Sequence, residues 1–208
     1  KFMSTGPRQV KLPSGPLQSD HVRLVPFDLE RHAPELRDMA ERSGERLATW
    51  PFYNPPGDWI TPWTKTIRQR TEAGTLIPYA VLLPDGRFGG MTAYLNPNPD
   101  WRNVEVGMTI YAPEHQGGIV NPACKHLLLS HAFDAGAIRV YFHVDERNAR
   151  SRAAVLKLGA REEGILRHNR ILPDGHLRST VVFSILAEEW PTVRDRLVRR
   201  LANGGRDA

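Results

Sequence analysis

Asn103-Val104-Glu105-Val106-Gly107-Met108-Thr109-Ile110-Tyr111, followed by Pro113-Glu114-His115-Gln116-Gly117-Gly118-Ile119-Val120-Asn121-Pro122, is the stretch that decides the fold. Its first nine residues alternate. Val104, Val106, Met108 and Ile110 share one side, and Glu105, Gly107 and Thr109 share the other. That period of two predicts a strand whose Glu105 faces away from the valines. Asn121 at a cap and Pro122 in the first helical position then predict a helix start. Cys124, Leu127, Leu128, His131, Ala132 and Ala135 follow at helical spacing, and Gly136 ends the run. Amides at a helix N-terminus bind anions, and glycines let a ligand approach the backbone. The loop 115–120 is therefore a candidate phosphate site, although Gly-Gly before a helix is as often only a turn.

On the N-terminal side, His21–Pro26 reads as a strand and Asp28 as the cap of a helix reaching Arg42. Residues 44–64 carry Trp50, Phe52, Tyr53, Trp59 and Trp63 among four prolines, a stiff loop able to wall a pocket or clamp the core. Thr61-Pro62 predicts a short helix to Ala73. Ile77–Leu83 and Arg87–Leu95 are strands joined by Asp85-Gly86, a hairpin signal. On the C-terminal side, Ile138–Val144 is a strand and Asn148–Leu158 a helix stopped by Gly159. Residues 164–173 and 177–186 pair around Pro173-Asp174-Gly175. Trp190, Val193, Leu197 and Leu201 mark a last helix. Hairpins are antiparallel, and a strand-helix-strand unit favours a parallel pair. The fold class is α/β (α+β): a mixed, mostly antiparallel central sheet of about seven strands flanked by helices. Residues 1–19 are expected as a flexible lead-in, 20–202 as one domain and 203–208 as a flexible tail.

The 208 residues bound the remaining choices. A 40% apolar, 25% charged chain is ordinary for a folded domain. A single cysteine, Cys124, forms no internal disulfide. No apolar run approaches the ~18 residues of a membrane span, so a soluble, cytoplasmic protein without membrane partners is expected. The net charge of +5 is scattered, and its densest run, Arg194, Arg196, Arg199 and Arg200, has the spacing of a solvated helix face. No nucleic-acid motif accompanies it. His126, His131 and His143 lack the spacing and the carboxylate of a zinc site, so no metal is expected.

Further motifs converge on one family. Lys125-His126-Leu127-Leu128-Leu129 and His131-Ala132-Phe133 follow the loop. Asp145-Glu146-Arg147-Asn148-Ala149-Arg150-Ser151-Arg152-Ala153-Ala154 comes later and closes with Lys157-Leu158-Gly159-Ala160. Together with Val104-Glu105-Val106-Gly107 and the Gln116-Gly117-Gly118 loop, this closely resembles the GNAT N-acetyltransferases, in particular the RimJ/RimL-type branch, over residues 20–190. The resemblance implies acetyl-CoA as co-substrate, without a metal. It implies that the central strand splays from its parallel neighbour and that the backbone of Met108, Thr109 and Ile110 holds the pantetheine arm. Gln116, Gly117, Gly118, Ile119, Val120 and Asn121 would hold the pyrophosphate, and Asn148 the pantetheine end. Glu105 matches the strand carboxylate proposed as general base, and Ser151 the serine proposed to protonate the leaving thiolate. One departure stands out. Ile119 occupies the place of the family loop's middle glycine, and a β-branched residue disfavours positive φ. The loop is therefore expected to bind through Gly117 and Gly118 along an altered path.

The implied reaction is acetyl transfer to a primary amine, a protein N-terminus or a small molecule, by direct attack in a ternary complex. The alternative is a non-catalytic acyl-CoA-binding or sensor module, motivated by Ile119. A homodimer is a further partner the resemblance allows. Bland readings stand beside the functional ones: Cys124 as buried packing, His115 as a surface loop residue, Glu105 as a solvent-facing strand residue and Ser151 as a helix-start residue satisfying backbone groups.

Overall fold

The structure is a computed structural model that describes residues 12, 15–44, 58 and 60–205. Eight strands and five helices follow one another as β1 (Leu17–Gln18), β2 (Arg23–Pro26), α1 (Leu29–Ser43), α2 (Ile60–Glu72), β3 (Leu76–Leu82), β4 (Phe88–Asn98), β5 (Asn103–Tyr111), α3 (Val120–Asp134), β6 (Arg139–Asp145), α4 (Ala149–Leu158), β7 (Arg161–Ile171), β8 (Leu177–Leu186) and α5 (Trp190–Ala202). They form one sheet in the order β1-β2-β3-β4-β5-β6-β8-β7. Among the described residues only β5 and β6 run parallel, as expected for strands joined through helix α3. The architecture is the expected one with an added strand. Leu17–Gln18, inside the stretch read as lead-in, pairs with Leu24 and Arg23.

Local signals explain most boundaries. Asp28 caps α1 by accepting from the Arg31 N–H at 2.9 Å, an interaction worth about 1 kcal/mol. Gly86 takes φ +85° in the β3–β4 turn and Gly175 takes φ +82° in the β7–β8 turn, a region glycine enters without a Cβ penalty. Gly159 ends α4 in the left-handed conformation. The aromatic loop is largely outside the described residues: Trp50, Phe52, Tyr53 and Trp59 fall there, whereas Trp63 packs from α2.

Two cores fill the two faces of the sheet. On one face α3, α4 and α5 bury Cys124, Leu128, Val155, Leu158, Val193 and Leu197 against Tyr94, Val104, Val106 and Phe142. On the other, α1 and α2 bury Leu36, Met39 and Ile67 against Leu76, Ala80, Met91 and Ile110. Arg194, Arg196 and Arg199 are exposed on α5, as the solvated-face reading has it, whereas Arg200 is half-buried and its Nε donates to the Gly205 carbonyl at 2.9 Å. Among the described residues no helix is long and apolar enough to cross a membrane.

Strands β4 and β5 approach unusually closely at Gly90, where φ is +145° and a Cβ would stand 2.1 Å from the Ile110 carbonyl oxygen. Gly90→Ala is therefore expected to cost roughly 2–4 kcal/mol. The check is a lower denaturant midpoint at an unchanged m-value.

Candidate active site

The site begins where β5 leaves β6. Their pairing covers Asn103↔Arg139, Val104↔Val140 and Glu105↔Tyr141, then stops, although β5 runs on to Tyr111 and β6 to Asp145. At the same place β5 carries one extra residue against β4. Ala93 pairs with Gly107 and Met91 with Ile110, two steps on β4 against three on β5. Met108 absorbs the bulge at φ +46°. The uninterrupted alternation expected from sequence is thereby corrected. Val104 and Val106 enter the α3-side core, but Met108 and Ile110 pack on the α1/α2 side. Glu105 does face away from the valines.

Thr109, beyond the bulge, faces α3. Lys125 Nζ donates to its Oγ1 at 2.8 Å, and Thr92 Oγ1 lies 2.8 Å from the same oxygen. Lys125 is 7% exposed, and burial pushes its amine down to about 8.

Between β5 and α3 the chain makes a short 3-10 turn, Pro113–His115. Gln116 Nε2 then donates to the Tyr111 carbonyl at 2.9 Å, tying the loop to the end of β5. The positive φ of this loop, +77°, falls at Gly117. Ile119 has φ −75° and ψ −23°, an ordinary right-handed conformation, so its β-branch imposes no strain. Helix α3 begins at Val120, so Asn121 lies in the first turn and is not the cap that the sequence predicted. Its Oδ1 accepts instead from Tyr111 Oη at 3.2 Å. No side chain caps α3, and the Cβ positions of Gly117 and Gly118 face open space. First-turn amides without a cap, beside an open glycine backbone, are a donor set that fits a diphosphate. The C-terminal turn supports this loop. Gly205, at φ +87°, packs so closely that a Cβ would stand 2.8 Å from the Ile119 nitrogen and Cα. Gly205 belongs to the segment 203–208 read from sequence as a tail.

On the opposite face Glu105 is 5% exposed. Its Oε2 accepts from Asn96 Nδ2 at 3.2 Å and lies 3.2 Å from His143 Nδ1, off the axis of a good hydrogen bond. Arg70 of α2 donates to Asn96 Oδ1 at 3.0 Å and so fixes the amide. Tyr141 stands edge-on to His143, with ring centroids 5.2 Å apart.

Three residues separate the end of β6 from the start of helix α4. Asn148 caps it, its Oδ1 accepting from the Ser151 N–H at 2.9 Å, which leaves the amide N–H groups to offer a ligand. Ser151 is half-buried in the first turn. Asp145 anchors this connection through Arg147 at 2.9 Å and Arg178 at 3.7 Å. Burial raises its pKa, but hydrogen bonds from Arg147 and the charges of Arg147 and Arg178 outweigh that and hold it below the usual value.

The remaining candidates separate clearly. Cys124 is fully buried and burial pushes its thiol up to about 12, so packing is its role. His131 Nδ1 lies 3.2 Å from Tyr94 Oη, and His126 lies against Trp190. His115 is half-buried in the 3-10 turn. Among the described residues no three His, Cys, Asp or Glu gather as metal ligands. An open cleft of about 820 Å³ lies between Glu146 and the bulged β7 segment Arg167–Asn169; neither Glu105 nor Ser151 lines it.

Sequence reasoning had not paired His143 with Glu105, nor singled out Asn96 or Lys125. A signal existed for two of them. Parallel pairing with Val140, Phe142 and Val144 inward puts Tyr141 and His143 on Glu105's side. Lys125, three before Leu128 and four before Leu129, falls on the buried stripe of α3. Asn96 takes φ +48°, a kink that no local motif announces.

This sheet, opened at one parallel pair beside a glycine loop, defines an acyltransferase of the GNAT type. The acetyltransferase (GNAT) domain family matches residues 21–161, and the chain belongs to that family. It is 30% identical over 177 residues, 81% of this chain and 92% of the relative, to the Bacillus subtilis (strain 168) protein named "Putative ribosomal N-acetyltransferase YdaF". The crystal structure of a "putative acetyltransferase" from T. thermophilus is 34% identical, with TM-score 0.79, covering 92% of this chain and 98% of that one. Mycobacterium smegmatis RimJ in complex with CoA-disulfide is 28% identical, with TM-score 0.71, covering 91% and 93%. These relatives agree with the RimJ/RimL-type branch.

The packing of the loop and of Lys125 can each be tested. Gly205→Ala places a Cβ against Ile119 at positive φ, costing about 1 kcal/mol or more, or roughly 2–4 °C in Tm. Amide exchange at 117–120 should quicken in the same variant. Lys125 binds its proton less tightly in the folded than in the unfolded chain. The stability of the wild type relative to Lys125→Met should therefore rise as pH climbs from about 8 towards the ordinary lysine value, and stay level below that window. Denaturant titrations at several pH values check this.

Proposed function

We propose that this protein transfers an acetyl group from acetyl-CoA to a primary amine, a protein N-terminus or a small-molecule amine, by direct attack in a ternary complex. The observation that carries the reading is the parting of β5 from β6 immediately after Glu105, between the uncapped start of α3 and the start of α4. The relatives named for N-acetyl transfer and the CoA-disulfide held by RimJ support it.

Acetyl-CoA supplies the acetyl group as a thioester that an uncharged amine attacks. The backbone of Gly117, Gly118, Ile119, Val120 and Asn121 binds the pyrophosphate, with Gln116 holding the loop in place. Met108, Thr109 and Ile110 present strand backbone to the pantetheine arm, because β6 no longer takes up that edge. Asn148 offers its amide at the pantetheine end. Ser151 donates its hydroxyl to the departing sulfur. On the opposite face, the Glu105 centre draws the proton from the amine. That demand depends on the acceptor. A lysine amine is only ~0.04% uncharged at pH 7, an α-amine ~14%. The non-catalytic reading rested on Ile119, whose relaxed backbone removes its motive.

Acetyl-CoA at a hundred times its Kd should stabilise the fold by about 2.7 kcal/mol, raising Tm by roughly 5–10 °C. No shift and no calorimetric heat overturn the cofactor; a shift without turnover over peptide and small-molecule amines leaves a binding module. Ser151→Ala should lower kcat about 10- to 100-fold while leaving the Kd for acetyl-CoA nearly unchanged, since its bond strengthens as charge reaches sulfur.

A further inference from the structure

We propose that the proton leaving the attacking amine is taken by the imidazole of His143, and that Glu105 is a positioning residue acting through that ring. The inference rests on the acetyl-transfer reading and refines which atom moves the proton.

Three observations on the Glu105 face lead here. Strands β5 and β6 are parallel and in register at Glu105↔Tyr141, so His143, two residues on, is the next β6 side chain on that face, just past the last paired rung. It therefore stands at the mouth of the opening, whereas Glu105 stands at its root. Exposure agrees: the His143 side chain is 20% exposed and that of Glu105 6%. An incoming amine meets the imidazole before the carboxylate. Finally, Oε2 of Glu105 is already engaged by Asn96, itself fixed by Arg70. A carboxylate held by one amide that α2 in turn fixes suits orienting a ring, and His143 Nδ1 stands 3.2 Å from its Oε2. Nδ1 lies off the hydrogen-bond axis, so a modest turn of the ring brings its proton onto the carboxylate and leaves Nε2, on the far side of the ring, as the basic nitrogen.

An imidazole is also intrinsically the stronger base of the two, and the better match to neutral operation. The ionisable groups around it are Glu105 from β5, Tyr141 from its own strand and Glu163 from β7, the last paired with Arg139. β8 places Val182 opposite.

The step balances. The amine nitrogen forms a bond to the acetyl carbon, the carbon–sulfur bond breaks, and the nitrogen's proton passes to Nε2. The sulfur leaves with a proton through Ser151 and solvent, and His143 returns its own to solvent, so one proton moves from nitrogen to sulfur overall.

The test uses the full chain with an amine that the wild type acetylates, plus an NMR titration of His143 without any ligand. His143→Gln should lower kcat/KM at least tenfold and abolish the acid limb of its pH profile. Glu105→Gln should keep the acid limb while lowering kcat/KM, and should move the His143 ring resonances in the NMR spectrum, because the ring loses the carboxylate beside Nδ1. Unchanged circular dichroism and acetyl-CoA affinity in both variants exclude misfolding. If His143→Gln retains wild-type activity, or if Glu105→Gln removes the acid limb altogether, the proposal is overturned, with Glu105 then the direct base. If the wild type acetylates no amine, the transfer reading has failed, and the NMR shift still reports whether the two side chains are coupled.

Discussion

One extra residue in β5 is the constraint on which the rest depends. Without the bulge at Met108, β5 would continue its alternation, pack all four apolar side chains into one core and stay beside β6. With it, the strand feeds Val104 and Val106 to one face and Met108 and Ile110 to the other. Positive φ at a methionine costs of the order of 1–2 kcal/mol. Two filled cores impose it, and Gly90 gives the room, because its missing Cβ lets the Ile110 carbonyl approach. A single steric accommodation between β4 and β5 thus opens the edge of β5 towards β6.

The opening has chemically distinct sides. Towards α3 lie a buried amine, two hydroxyls and an uncapped helix start, all donors. Towards α1 and α2 lie a buried carboxylate, a carboxamide and an imidazole. Donors and a helix N-terminus favour an anion, and a carboxylate favours a cation or an N–H. A diphosphate on one side and an amine on the other is the pairing this polarity suits, with the strand backbone between them.

Much of this was legible in the sequence, for local reasons. Asp28, Asn148, Gly159 and the two Asp-Gly turns act within a few residues, and their elements fell where expected. The parallel β5–β6 pair followed from the helix between them. The bulge did not, because Met108 continues the alternation perfectly and the register slip belongs to the pairing with β4. Asn121 read as a cap by composition, but its side chain serves Tyr111, ten residues away. His143 was visible as a residue and not as a partner. Its relation to Glu105 exists only once the register of two strands separated by a helix is known.

The loop shows how a departure from a family pattern is absorbed. A middle glycine is needed only if the chain turns left-handed there. Here the left-handed residue is Gly117, two positions earlier, and Gln116 fastens the turn to Tyr111. From Gly118 onward the backbone can enter α3 directly, so an isoleucine at 119 meets no conformational penalty. The close approach moves to another glycine. Gly205 lies against Ile119 from the end of α5, and α5 packs along α3. The conformational freedom expected at one loop position is divided between a turn residue before it and a packing residue some eighty positions later. The amides of the first turn remain free for a ligand, which is the property that the glycine-rich pattern exists to secure.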